Sequence, residues 1–165
     1  MAFTLEYLDQ HLEAIPSLAQ WHQDAWGAIT PNLSLADRIR GFEARARRGG
    51  VPTAVVALVD AKVVGLACLV AADIESHAHL TPWLASVLVA PPFRGRGIGS
   101  ALAERVAAEA TALSVQELFL FTFDKQALYS RLGWSHREPT VYAGRPGTVM
   151  VRGLAPRLIG RSLRR

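Results

Sequence analysis

One cysteine in 165 residues, Cys68, excludes an internal disulfide and a multi-cysteine metal site. It is expected as a buried strand thiol in a reducing, cytoplasmic setting. Long apolar runs are also missing. The longest, 53–72, is broken by Asp60 and Lys62, and spanning a bilayer takes roughly 18–20 apolar residues. No membrane partner is therefore expected. The opening Met1-Ala2-Phe3-Thr4-Leu5-Glu6 has neither the basic nor the apolar region of a signal peptide. Charge of one sign is scarce away from the C-terminus. Arg157, Arg161, Arg164 and Arg165 carry the whole net charge of +4, and without them 14 basic residues face 14 acidic ones. That neutral body argues against a nucleic-acid partner, which selects a basic folded face. Arg38, Arg40, Arg45, Arg47 and Arg48 share their segment with Asp37 and Glu43, which reads as a solvated helix face. Repeats, low-complexity tracts and linkers are absent, so one domain is expected over 1–156, with a basic tail at 157–165.

Half the residues are hydrophobic and 19% are charged, enough apolar material for a real core. Residues 3–8 alternate as a first strand, and helices are expected within 10–26 and 34–48. Ser34 is placed to cap the second helix and Gly49-Gly50 to stop it. Two β-branched runs, 53–59 and 63–70, joined by Asp60-Ala61-Lys62, read as a hairpin. A strand at 83–89 closes on Pro91-Pro92. Ile98, Leu102, Val106, Ala110 and Leu113 then recur at helical steps of three and four. A strand at 117–123 and a short helix at 125–132 follow, the helix ending at Gly133. Strands near 140–143 and 147–153 close the chain around Gly144-Arg145-Pro146-Gly147. The order β-α-α-β-β-β-α-β-α-β-β describes a mixed α/β sheet with helices packed on it. Trp21, Trp26, Trp83 and Trp134 are core candidates.

The stretch Phe93-Arg94-Gly95-Arg96-Gly97-Ile98-Gly99-Ser100 joins a strand to a helix. Its glycines let a ligand reach the backbone. The first-turn N–H groups and the positive end of the helix dipole favour an anion, phosphate above all. Arg94 and Arg96 add cationic donors beside it. No Gly-Lys-Ser/Thr follows, so this is not a P-loop. Gly95-x-Gly97-x-Gly99 also lacks the dinucleotide G-x-G-x-x-G spacing.

Arg94-x-x-Gly97-x-Gly99, entered from an apolar strand and opening a helix, resembles the acyl-CoA signature of the GNAT superfamily of N-acetyltransferases. Ala127-Leu128-Tyr129-Ser130-Arg131-Leu132-Gly133-Trp134 is similar to that family's second signature, in the right order downstream. The resemblance implies a single α/β (α+β) domain with a mixed, mostly antiparallel sheet of about six or seven strands and about four helices. It implies acetyl-CoA as co-substrate, no metal, and transfer of the acetyl group to a primary amine of a small molecule or peptide. The other reading is a non-catalytic acyl-CoA-binding sensor or regulatory module.

Carried over by position, the resemblance puts the pyrophosphate on Arg94, Gly95, Arg96, Gly97, Ile98, Gly99 and Ser100. The pantetheine would pair with the edge at Leu88-Val89 as an added strand. One of those two N–H groups would meet the oxyanion. Thr122 stands where the family often has Asn, and Lys125 could reach a CoA phosphate or only face solvent. Tyr129 is the candidate acid for the departing thiolate. The general base is left open. His77 and His79 lie with Asp73 and Glu75 in one connection, and without Cys or a spaced carboxylate they make no zinc site. Asp73 and Glu75 could select a cationic amine, and Trp26 is the tryptophan expected beside the acceptor. The final hairpin could serve a homodimer.

Overall fold

The computed structural model describes residues 2–155; the expected basic tail at 157–165 lies outside them. Seven strands and four α-helices follow in the expected order: β1 (Thr4–Tyr7), α1 (Ile15–Trp26), α2 (Leu35–Arg45), β2 (Thr53–Val59), β3 (Lys62–Val70), β4 (Trp83–Val89), α3 (Ile98–Ala112), β5 (Glu117–Thr122), α4 (Gln126–Arg131), β6 (Ser135–Tyr142) and β7 (Arg145–Gly153). They form one sheet in the order β1-β2-β3-β4-β5-β7-β6. Only β4 and β5 are parallel. The mixed, mostly antiparallel α/β architecture is the one expected.

The period of two in β2 decides the layers. Val55, Ala57 and Val59 pack with Ile98, Leu102, Val106 and Ala110 of α3. Ala54, Val56 and Leu58 face the other way, against Leu18 of α1 and Phe42 of α2. Cys68 is free and fully buried on that second face, as expected. Trp83 and Trp134 are core, whereas Trp21 and Trp26 are half-buried.

Local chemistry sets the element ends. Ser34 Oγ accepts from the Asp37 N–H at 3.0 Å and Asp37 Oδ2 accepts from the Ser34 N–H at 2.9 Å, a reciprocal capping box. Helix α2 ends at Arg45, before the two glycines expected to stop it. Leu113, expected on the apolar face of α3, is 37% exposed just past the helix end. The last hairpin turns at Ala143-Gly144, both with positive φ, so its strands are longer than expected and Gly147 lies inside β7. A Cβ on Gly147 would stand 2.4 Å from the Phe121 ring, which explains the glycine there.

Candidate active site

Two features of β4 shape the middle of the sheet. Along their length β4 and β5 share a single register pair, Trp83 with Phe119, and then diverge. The second half of β4 therefore has an edge that β5 does not cover. Opposite β3, the pairs Cys68–Ala85 and Leu66–Leu88 leave one extra residue on β4, a bulge at Ser86-Val87, and Ser86 has φ 55°. The Ala90 N–H donates to the Val64 carbonyl at 2.8 Å. By the alternation of an antiparallel ladder, Leu88 then turns its polar groups to β3 and Val89 turns its own to the open side. Of the two expected edge residues, Val89 is the one that presents its backbone.

Beyond Val89 lies the glycine-rich loop. Gly95 and Gly97 both take left-handed backbone, φ 72° and 80°, which glycine adopts without strain. A Cβ on either would meet no protein atom within 4 Å, so the space above the loop is open. Gly97 is the N-cap of α3 and supplies no capping side chain. The first intrahelical bond of the helix runs from the Ala101 N–H to the Gly97 carbonyl, 3.0 Å. The N–H groups of Ile98, Gly99 and Ser100 precede it and have no partner within the helix. The Ile98 side chain anchors this turn in the core, while Gly99 and Ser100 beside it are half-buried. Arg94 Nε donates to the Val89 carbonyl at 2.9 Å, tying the loop to the open edge. The Arg96 guanidinium lies over the Phe93 ring.

On the α3 side, Tyr129 of α4 is 9% exposed. Gly133, at φ 88°, closes the helix as the Trp134 N–H reaches back to the Tyr129 carbonyl at 3.0 Å. This turn brings the Tyr129 and Trp134 rings edge to face, with centroids 6.1 Å apart. Burial pushes the phenol up to about 12, so it stays protonated and able to donate. Thr122 Oγ1 accepts from the Lys125 N–H at 3.0 Å and so is engaged in the turn into α4.

The opposite face holds a polar cluster that the sequence did not announce. Arg38, expected in solvent, is 3% exposed, a correction to the reading of its segment as a solvated face. It donates to Thr30 Oγ1 at 2.8 Å and contacts His22 Nδ1 at 2.7 Å, with the Thr30 and Leu33 carbonyls at 3.4 Å. These partners lie up to 16 residues away in sequence. Arg45 is half-buried, with its NH1 3.4 Å from Ser86 Oγ, and His22 Nε2 is also 3.4 Å from that oxygen. The Trp26 ring stands 4.8 Å from His22.

Asp73 is an exposed residue of the connection after β3, with protein packed near its carboxyl. Loss of water pushes its carboxyl up to about 6, against the pull of Arg45. Burial, and next the Arg45 charge, act on the Cys68 thiol in opposite senses with burial winning, so it stays protonated. Tyr142 is raised by burial and then by Asp73. Asp73 thus joins the cluster. Glu75 is exposed at the start of a short 3-10 turn, with no contact that ties it in. His77 is engaged elsewhere, with Nε2 3.2 Å from Glu138 Oε1 and its ring stacked on His79. Among the described residues no group of three or more His, Cys, Asp or Glu is placed to hold a metal ion, and no helix is long and apolar enough to cross a membrane. Two shallow surface hollows, around His79, Pro82 and Phe119 and around Glu104, Ala108 and Arg152, share no residue with the loop or the cluster.

The His22 environment has a measurable consequence. Burial first, then Arg38 and Arg45, lower its pKa from 6.5 to about 4. The folded chain thus disfavours the imidazolium that the unfolded chain forms. Stability contributed by the neutral ring is complete above pH 6.5 and is lost as pH falls toward 4. The loss should reach about 3 kcal/mol, at about 1.4 kcal/mol per pKa unit. Denaturant unfolding of wild type and His22→Gln from pH 7 to 4 should show this extra loss in wild type alone. Asp73 titrates with the opposite sign in the same window but is present in both proteins, so it cancels. Parallel pH curves would refute the assignment.

The acetyltransferase (GNAT) family model matches residues 15–134. Among solved structures, the chain is similar to yncA of Salmonella typhimurium, solved with its cofactor acetyl-CoA: 20% identity, 94% of this chain and 95% of that one, TM-score 0.71. It is similar to a GNAT superfamily phosphinothricin acetyltransferase from Sinorhizobium meliloti in complex with acetyl-CoA, at 20% identity, 94% and 90% coverage and TM-score 0.69. An N-acetyltransferase from Staphylococcus aureus Mu50 gives 18% identity, 94% and 100% coverage and TM-score 0.69. At these identities the likeness is one of fold. No curated protein matches the sequence.

Proposed function

The chain belongs to the acetyltransferase (GNAT) family, and on that premise we propose that it transfers the acetyl group of acetyl-CoA directly to a primary amine. The observation that carries this reading is the continuity of an uncapped helix start, an open glycine loop and an uncovered strand edge. The N–H groups of Ile98, Gly99 and Ser100 suit the pyrophosphate, with Gly95 and Gly97 allowing close approach and Arg94 and Arg96 adding charge. Val89 offers its edge to the pantetheine amides in the manner of an added strand. Tyr129, protonated and close to α3, is the donor for the departing sulfur. Acetyl-CoA supplies an activated acyl group, and the chain supplies position, hydrogen bonds and exclusion of water.

On the other side of the sheet, Asp73 and Trp26 form the acceptor side. A carboxyl ionised above about pH 6 favours a cationic amine. The aromatic group of Phe121, Phe123 and Tyr142, with ring centroids 4.8–6.3 Å apart, lies near Asp73 and suits an acceptor with an apolar portion. Glu75 has no comparable support.

The test combines acetyl-CoA titration calorimetry with thiol release against a panel of amines: amino acids, polyamines, amino-sugars and lysine peptides. Saturable thiol release for at least one class, with acetylated amine identified by mass, is the expected result. Binding of CoA without release for any class would make the protein a sensor or regulatory module. No binding at all would remove the reading.

A further inference from the structure

Below the open edge of β4, the hydrogen-bond directions around Ser86 are fixed by chemistry. A guanidinium only donates, so Arg38 NH1, 2.7 Å from His22 Nδ1, makes that nitrogen an acceptor. The neutral ring then carries its proton on Nε2, which lies 3.4 Å from Ser86 Oγ. Arg45 NH1 donates to the same oxygen from 3.4 Å. A hydroxyl has two lone pairs and one hydrogen. Both acceptor positions of Ser86 thus face donors, and its own hydrogen is left for another acceptor. Ser86 is half-buried, so part of the residue still faces solvent.

Its position in the strand gives that hydrogen a target. Ser86 occupies the bulge of β4, with φ 55°, beyond the last pair that joins β4 to β5. From the loop the uncovered edge runs back through Val89 to Ser86, three residues or roughly 10 Å along a strand. An acyl-CoA held by its phosphates at the loop and by its amides at Val89 carries its thioester in that direction.

We propose that the Ser86 hydroxyl donates a hydrogen bond to the acyl carbonyl oxygen, aimed by His22 and Arg45 as positioning residues. The proposal rests on the acetyl-transfer reading above. In the reaction the acceptor nitrogen forms a bond to the carbonyl carbon, and the C–S bond breaks with its electron pair on sulfur. The proton lost by nitrogen is balanced by the one gained by the thiol. Ser86 exchanges no atom; its hydrogen bond strengthens as negative charge builds on the oxygen. Two cationic or ring donors behind the hydroxyl polarise it for that task. The sequence signal for this is weak, since a lone Ser in an apolar strand reads as an ordinary strand residue.

The experiment is isotope-edited infrared spectroscopy of carbonyl-labelled acetyl-CoA bound without acceptor, together with steady-state kinetics. In wild type the bound carbonyl band should lie below its position in free solution. Ser86→Ala should move it back and lower kcat about tenfold, with acetyl-CoA affinity within about twofold. This is less than the 10²–10³-fold typical of one oxyanion donor, because backbone N–H groups of the strand share the charge. Ser86→Gly, which suits the positive φ, guards against a folding artefact and should behave as Ser86→Ala does. His22→Leu should move the band part of the way back, and His22→Gln, which keeps an N–H at that position, should restore it. An unshifted band and unchanged kcat in both Ser86 variants would overturn the proposal. Wild type that fails to bind acetyl-CoA in calorimetry would instead overturn the acetyl-transfer reading itself.

Discussion

Replacement of Tyr129 by Phe should lower kcat about a hundredfold and leave the affinity for acetyl-CoA near that of wild type. The ring is 9% exposed and packs with Trp134, and Phe retains that packing. What is lost is a hydroxyl that burial holds in its protonated form, with a pKa of about 12. A thiol has a reference pKa of about 8.5. Complete proton transfer from this phenol to a free thiolate would run uphill by about 3.5 pKa units, or about 5 kcal/mol. In the proposed reaction Tyr129 would therefore serve as a strong hydrogen-bond donor to the sulfur as charge develops, with the proton completed from elsewhere. That places the effect at the low end of the 10²–10⁴-fold range of general acid catalysis. Single-turnover rates at saturating acetyl-CoA give the comparison directly. Equal rates would leave Tyr129 as a packing residue, and a lowered Tm with normal turnover per folded molecule would mean the same.

The parts of this molecule legible in the sequence are those whose signal is local. The β-branched apolar run 53–59 predicts a strand, and β2 is one, buried throughout. The glycine-rich stretch 93–100 marks a strand-to-helix turn, and it is one, with Gly95 and Gly97 at positive φ. Ile98, Leu102, Val106 and Ala110 line one side of α3 as their spacing requires. The parts that stay hidden depend on distant partners. Arg38 and Arg45 stand among acidic neighbours and look solvated, yet one is buried because His22 and Thr30 supply acceptors that only the packing of α1 on α2 brings close. Ser86 lies in an apolar strand, and its bulge follows from the register with β3, which no local pattern encodes. The divergence of β4 from β5 likewise belongs to the sheet as a whole. Residues 135–139, with Pro139 among polar side chains, do not read as a strand, but pairing with β7 makes them one at the sheet edge. The glycine loop was thus visible in advance, while of the polar cluster on the opposite face only Trp26 and Asp73 were singled out.

Gly97→Val should raise the dissociation constant for acetyl-CoA at least tenfold, about 1.4 kcal/mol or more. Two effects act together. At φ 80° an L-residue pays about 1–2 kcal/mol for left-handed backbone, and a β-branched one fits worse still, so the loop relaxes away from its present shape. The added side chain also projects into the space above the loop, where no protein atom lies within 4 Å. In the folded protein alone that space is free, so the side chain itself costs nothing; it matters only when an anion must approach the helix N-terminus. A comparison separates the two effects. Gly97→Ala carries the backbone strain with a smaller side chain, and should weaken binding less. Gly99→Ala carries no positive φ, and its Cβ would meet Val89 Cγ2 at an ordinary 3.8 Å, so it reports on helix propensity without disturbing the turn. Calorimetry with acetyl-CoA should therefore order the variants wild type, Gly97→Ala, Gly97→Val in falling affinity. The Tm of Gly97→Val should drop by no more than the strain accounts for, and kcat at saturating acetyl-CoA should change far less than the affinity. An affinity for Gly97→Val equal to that of wild type would place the phosphates elsewhere, and with them the direction in which any thioester could run along β4.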